Sequence, residues 1–194
     1  MNILIPKYLT FGADIKNIQF TDSKVTKIFK NNNSYQKTIL FYSKFCYNTN
    51  LFPQLFFKDD NLLLIETENC GDLVNLYNIP YNWKQQINNF RSFFIEKNVL
   101  ILDIRFMPHT PYVLNNLCLK NNTIYLVDLA LYDFKSTHEI NTYFDNLIYN
   151  IECRLKYKNN IIPLFLIHIY LEFNRYINDF LENIMMIYNN VTSR

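Results

Sequence analysis

The sequence changes character after Cys70-Gly71-Asp72, from a first half that reads β-β-α-β-β to a second half that reads as helix, hairpin and helix, which points to an α+β fold. Before that change, Tyr8 to Phe20 and Lys24 to Phe29 are rich in β-branched and aromatic residues, broken by Gly12 and Asp22-Ser23, which predicts a hairpin. Ser34 is expected to cap a helix running to about Tyr47, because Tyr35, Ile39, Tyr42 and Cys46 recur at near-helical spacing. Leu51 to Phe57 and Asn61 to Glu66 then read as two strands about the polar turn Lys58-Asp59-Asp60. After the change, Asp72 is expected to cap a short helix and Asn82 a longer one from Trp83 to Lys97, with Ile87, Phe90, Phe94 and Ile95 as its apolar stripe. A loop with Pro108 and Pro111 leads into short strands at Tyr112 to Leu119 and Thr123 to Val127, joined by Lys120-Asn121-Asn122. Helices are predicted from Glu139 to Lys158 and, after Pro163, from Leu164 to Asn189.

With 194 residues, 49% of them apolar and 17% aromatic, one domain or two small lobes can bury a core. The formal charge of +2 is spread along the chain, which argues against a nucleic-acid partner. Cys46, Cys70, Cys118 and Cys153 form no CxxC or Cys/His pair, so reduced cytosolic thiols are expected rather than a metal site or disulfide framework. The longest apolar run, Ile161 to Phe173, is too short and too interrupted by Pro163, His168 and Glu172 to span a bilayer, and no membrane partner is expected. The start MNILIPKYL has no long apolar region followed by a cleavage site, so the chain reads as mature and cytoplasmic. The abundance of Asn, Ile, Lys and Tyr suggests an AT-rich genome, such as that of a large DNA virus, in which case the location is host cytoplasm. Gly12 and Gly71 are the only glycines, which weakens any mechanism built on a glycine-lined loop.

Three segments carry candidate chemistry. In Val25-Thr26-Lys27-Ile28-Phe29, alternation sends Lys27 to the same face as two apolar neighbours. A lysine there needs a partner or ligand, unless it lies on a solvated edge strand. The run from Leu62 to Leu73 is an apolar strand that ends in the acidic turn of Glu66, Thr67 and Glu68 before Cys70-Gly71-Asp72. The third segment, Asn115 to Asp128, is a hairpin opened by an asparagine and closed by an aspartate, 128 − 115 = 13 positions apart. Closing an apolar strand with a carboxylate is costly unless a cation or hydrogen bonds satisfy it, as they would in a surface turn.

Together these segments resemble the protein-kinase-like superfamily over roughly Leu9 to Tyr132. The resemblance implies a bilobed α+β fold with a small antiparallel β N-lobe and a reduced, mainly helical C-lobe. It implies a single domain over 1–194, divided into an N-lobe (1–66), a hinge (67–72) and a C-lobe (73–194). ATP and Mg²⁺ are the implied cofactors. Lys27 would hold the phosphates, Gly12 would mark the phosphate-covering loop, and Glu66 and Glu68 would flank the adenine-contacting hinge. Asn115 and Asp128 would converge on Mg²⁺, and Asp103 would be the base.

Several positions depart from that pattern. Leu129-Ala130 stands where Phe-Gly usually follows the metal-binding aspartate, and Gly12 is followed by Ala13 and Asp14. No glutamate is available on the first helix, where Gln36, Lys37 and Thr38 occupy the expected positions. The base has three candidates. Counting five residues back from Asn115 gives Thr110, within Pro108-His109-Thr110-Pro111, and His109 lies beside it. Asp103, in Ile101-Leu102-Asp103-Ile104-Arg105, resembles the family's His-Arg-Asp-Leu-Lys run but sits 115 − 103 = 12 positions before Asn115. Three functions stay open: an active minimal kinase phosphorylating a protein Ser/Thr hydroxyl or a small molecule, a pseudokinase scaffold for a protein partner, and an unrelated α+β interaction protein.

Overall fold

The computed structural model describes residues 14–47, 49–107, 110–160, 162–174 and 176–177. Gly12 and His109 lie outside the described residues, as do the start of the first predicted strand and the end of the last predicted helix.

The first half follows the expected order, with its boundaries moved by specific polar contacts. Strands β1 (Ile15–Phe20) and β2 (Lys24–Phe29) form the hairpin. Thr21 closes its turn: its N–H donates to Lys24 O at 2.9 Å, and its hydroxyl accepts from Lys24 N at 3.0 Å. Helix α1 (Asn32–Phe45) is capped by Asn31 rather than Ser34, because the Asn31 side chain accepts from the Ser34 N–H. Strands β3 (Leu55–Asp59) and β4 (Leu64–Glu68) follow. Their turn lies beyond Asp59, whose carboxylate accepts from the N–H groups of Asn61 and Leu62. The resulting sheet has the order β1-β2-β4-β3.

The second half differs most just after Gly71. Asp72 begins a strand, β5 (Asp72–Asn75), rather than a helix, because it pairs with the long strand β8 (Thr110–Lys120). Between them in sequence lie α2 (Trp83–Lys97), β6 (Val99–Ile101) and β7 (Phe106–Met107). Strand β9 (Thr123–Leu126) returns along β8, and β10 (Tyr132–Phe134) pairs with β6. Helix α3 (Thr137–Tyr157) starts at a capping box in which Ser136 and Glu139 satisfy each other's backbone N–H. A final helix, α4, covers 162–174. The fold is α+β, with a small antiparallel sheet ahead of a helical second half that also carries short ribbons. Among the described residues, no helix is long and apolar enough to cross a membrane.

Two apolar clusters hold these parts. Ile15, Phe29, Tyr35 and Ile65 form a small one beneath the first sheet. The larger one takes in α2, α3 and the ribbons, but also Phe41, Tyr42 and Phe52 from the first half. Phe52 meets Phe41 at 5.3 Å and Phe93 at 5.2 Å, both edge-on, so the end of α1 is anchored on the second half.

Asparagine supplies much of the left-handed backbone that this glycine-poor chain needs. Asn98 ends α2 at φ 50°, and Asn121 and Asn122 make the two-residue β8–β9 turn at φ 50° and 60°. Gly71 cannot be replaced in this way. Its φ is +82°, and an added Cβ would lie 2.3 Å from the Leu119 carbonyl oxygen. Gly71→Ala is therefore expected to lower the unfolding free energy by about 2–4 kcal/mol, read from urea melts. An unchanged midpoint would show that β5 and β8 do not approach this closely.

Candidate functional site

Antiparallel pairing sets which side chains share a face. Lys27 lies opposite Ile65 and Val25 opposite Thr67, whereas Lys24 faces Glu68 and Thr26 faces Glu66. Val25, Phe29, Ile65 and Thr67 are buried, so Lys27 points inward among them. From there Lys27 Nζ donates to the carbonyl of Val127 at 2.9 Å, across 100 positions of sequence. The ammonium thus reaches the residue immediately before Asp128.

Glu66 and Glu68 take the opposite face. Glu66 pairs with Lys24 at 3.2 Å and Glu68 with Lys120 at 2.7 Å, so the structure does not bring their carboxylates to Lys27. Any hinge contact from these positions would be through backbone.

Val127 also links the lysine to the catalytic-loop candidates. Its N–H donates to Asn116 O at 3.0 Å. The Asn116 side-chain amide donates to the backbone carbonyl of Asp103 at 3.0 Å and to its carboxylate at 3.1 Å, and Asn115 Nδ2 donates to the same carboxylate oxygen at 2.9 Å. Arg105 Nε holds the other carboxylate oxygen at 2.8 Å, and the Asn115 N–H donates to Arg105 O at 2.6 Å. Lys27, Asp103, Asn115 and the residue before Asp128 thus belong to one connected set of contacts.

Thr110 is not part of it, and His109 lies outside the described residues. Thr110 starts β8 opposite Met107, five strand residues from Asn115, or on the order of 16 Å along an extended chain. Its hydroxyl is buried without a hydrogen-bond partner. The loop carrying Asp103 is gripped from α3, where the Tyr143 hydroxyl accepts from Ile104 N at 2.9 Å and donates to Ile104 O at 2.8 Å.

Asp128 is partly buried at the end of the hairpin, and its Oδ1 accepts from Ala130 N at 3.4 Å. Leu129 and Ala130 are buried, and Leu129 belongs to the larger core, which pins the segment where a Phe-Gly pair would pivot. On α1, Thr38 spends its hydroxyl on Ser34 O, and Tyr42 one turn later comes near Asp128. Burial holds the Tyr42 hydroxyl well above the usual phenol range, and the charges of Cys46, Cys70 and Asp128 push it further. A phenol, not a carboxylate, is what α1 offers the site. Cys70 and Cys118 lie near Lys27; burial pushes each thiol up to about 12 and the ammonium only partly offsets it, so both are inert as nucleophiles.

Asn116, Tyr42 and Tyr143 were not singled out from sequence. The doublet Asn115-Asn116 signals a backbone irregularity, and Asn116 does take φ 59°, which kinks β8 and turns its amide toward Asp103. Tyr42 lay on the helical stripe already read from Tyr35 and Ile39. Nothing local marks Tyr143.

A cavity of about 710 Å³ opens elsewhere, between the end of α1, residues 49–55 and β9, with Ile39, Cys46, Phe52, Glu68 and Tyr125 in its wall. None of Lys27, Asp103, Asn115 or Asp128 lines it. The connected contacts therefore define the candidate site better than the cavity does.

No protein-family model and no curated protein sequence matches this chain. Among solved structures it is similar to the Legionella pneumophila Lpg2603 kinase bound to IP6, at 14% identity and a TM-score of 0.43 over 73% of this chain. It spans 63% of the length of that kinase. It is also similar to APH(2″)-IIa in a ternary complex with streptomycin and ATP, at 11% identity and a TM-score of 0.39, covering 82% of this chain and 90% of that one.

Tyr143→Phe removes both contacts to Ile104 and leaves its backbone groups unpaired. A loss of about 1–3 kcal/mol in unfolding free energy is expected, with faster hydrogen exchange at the Ile104 amide. Unaltered exchange would mean that α3 does not hold the Asp103 loop.

Proposed function

We propose that this chain binds ATP with Mg²⁺ between β2 and the β8–β9 hairpin and transfers the γ-phosphoryl group to a hydroxyl. The observation that carries this reading is the hydrogen bond from Lys27 to Val127, which sets an ammonium at the residue before Asp128 and, through Asn116, in one network with Asp103. Residues 1–194 act as one domain, with 67–72 as its hinge.

Lys27 holds the phosphates. It must first leave the Val127 carbonyl, an exchange favoured because a phosphate oxygen is a charged and therefore stronger acceptor. The donor set fits Mg²⁺: Asp128 offers a carboxylate, while the asparagines donate to Asp103 through nitrogen and keep their amide oxygens for other partners. Among the described residues no three His, Cys, Asp or Glu side chains gather into a metal-binding group, which suits an ion shared with phosphates rather than caged by protein. Bound there, Mg²⁺ would neutralise charge on the phosphates. Asp103 is the base for the acceptor hydroxyl, with Asn115 and Asn116 fixing its orientation. The acceptor class that the resemblance implies is a protein serine or threonine.

A second reading, a pseudokinase that binds a protein partner without chemistry, is favoured by the ion pair that Arg105 makes with Asp103 and by the lack of a carboxylate on α1. Thermal shift and phosphoryl transfer separate the two. With millimolar ATP and Mg²⁺ at 100 times the Kd, wild type should gain about 2.7 kcal/mol, and Asp128→Ala or EDTA should remove that gain. Asp103→Asn should keep the shift and lose about 10²–10⁴-fold in transfer rate. A shift without transfer selects the pseudokinase. Equal shift and equal transfer in wild type and Asp128→Ala would refute the site itself.

A further inference from the structure

Helix α4 is apolar on two faces, and among the described residues one is buried against the rest of the chain and the other is exposed. Its inner face carries Leu164 and His168, both buried, and is latched to α3 where Arg154 Nη2 donates to His168 Nδ1 at 3.0 Å. On the outer face Ile162, Leu166, Ile169, Phe173 and Tyr176 are 69%, 61%, 50%, 60% and 71% exposed. Their spacing is four, three, four and three residues, the repeat of a helix seam that packs against another helix. Phe165, Tyr170 and Ile177 widen the stripe. Apolar stripes of this extent are not left in water by soluble proteins.

We infer that this face is a self-association surface and that its occupant is the same face of a second copy of this chain. Eight half-exposed side chains at roughly 100 Å² each amount to on the order of 800 Å² per copy, which is the share one partner contributes to a standard-size interface. The spacing persists in the sequence at Phe180, Asn183 and Ile187, so the repeat spans more than three heptads from Ile162. A lipid surface is a poorer match. From Ile162 to Ile187 the one cation, Arg175, stands against Glu172, Asp179 and Glu182, a balance of 1 − 3 = −2, whereas interfacial helices are rich in Lys and Arg. This inference goes beyond the proposed phosphotransfer and does not depend on it.

Sedimentation equilibrium of the full chain tests it. Wild type should sediment at about twice 23.5 kDa at micromolar concentration. Phe173→Glu and Tyr176→Lys, each checked for an unchanged far-UV spectrum, should weaken association at least 100-fold. Leu62→Glu, at an exposed position on the first sheet, should leave it intact. A monomeric wild type at 100 µM overturns the inference, as does a folded Phe173→Glu or Tyr176→Lys that still dimerises. Monomers that bind phosphatidylcholine/phosphatidylserine vesicles would overturn it in favour of a membrane surface.

Discussion

The seating of the first sheet on the second half depends on one half-buried ammonium. Lys27 shares its face with Val25 and Phe29, and a lysine so placed is costly unless its charge finds oxygen. The oxygen comes from Val127, at the end of a hairpin formed a hundred positions later. A hydrogen bond to a charged donor is worth about 1.5–3 kcal/mol, enough to fix where the first sheet sits on the second half. Two flanking contacts keep that placement from pivoting: Leu126 N donates to Leu51 O at 3.0 Å, and Glu68 is paired with Lys120 at the far end of β8. The same bond that joins the halves thus points a cation at the segment leading into Asp128.

A chain with two glycines must find left-handed backbone elsewhere, and asparagine tolerates that region better than other residues with a side chain. At Asn98 and in the Asn121-Asn122 turn the substitution serves only to reverse the chain. At Asn116 it also serves the site, because the left-handed residue that kinks β8 carries the amide that grips Asp103. Alanine could not do both. Gly71 shows the limit of the exchange, since the β5–β8 approach leaves no room for any side chain.

Periodicity made the elements legible, and contacts between distant segments decided what it could not. The early hairpin, α1, α2 and the β8–β9 turn were readable because their signals are local: alternation, helical stripes and paired asparagines. The helix expected at Asp72 is a strand because β8 offers it an edge, which no local pattern records. Ser34 looks like a cap, but Asn31 stands three residues earlier with a better-placed oxygen. Fixed spacing pointed to Thr110 as the base, yet an extended strand carries that residue away from Asn115. Asp103 reaches it instead, because β7 folds back antiparallel on β8 and returns the Asp103–Arg105 segment to the asparagines. The inward position of Lys27 was visible in alternation; its acceptor was not.

If the proposed phosphotransfer takes place, magnitudes separate the features that would weaken it from those that only look inhibitory. The Arg105–Asp103 pair is half exposed on the arginine side, and displacing such a pair costs about 0.2–1 kcal/mol. Base catalysis of 10²–10⁴-fold corresponds to about 3–5 kcal/mol, so an acceptor hydroxyl that displaces Arg105 gains more than it loses. Phosphate placement is the tighter constraint. With Tyr42 rather than a carboxylate presented by α1, no side chain of that helix restrains the Lys27 ammonium once it has left Val127. A cation on a flexible four-carbon stem can bind a phosphate from many geometries, but in-line transfer needs a narrow set of them. On the proposed reading, the site is therefore better suited to hold a nucleotide than to speed its reaction. Any speed it has must come from the rigid half, where the asparagines and Tyr143 fix Asp103, rather than from the sheet that carries the lysine.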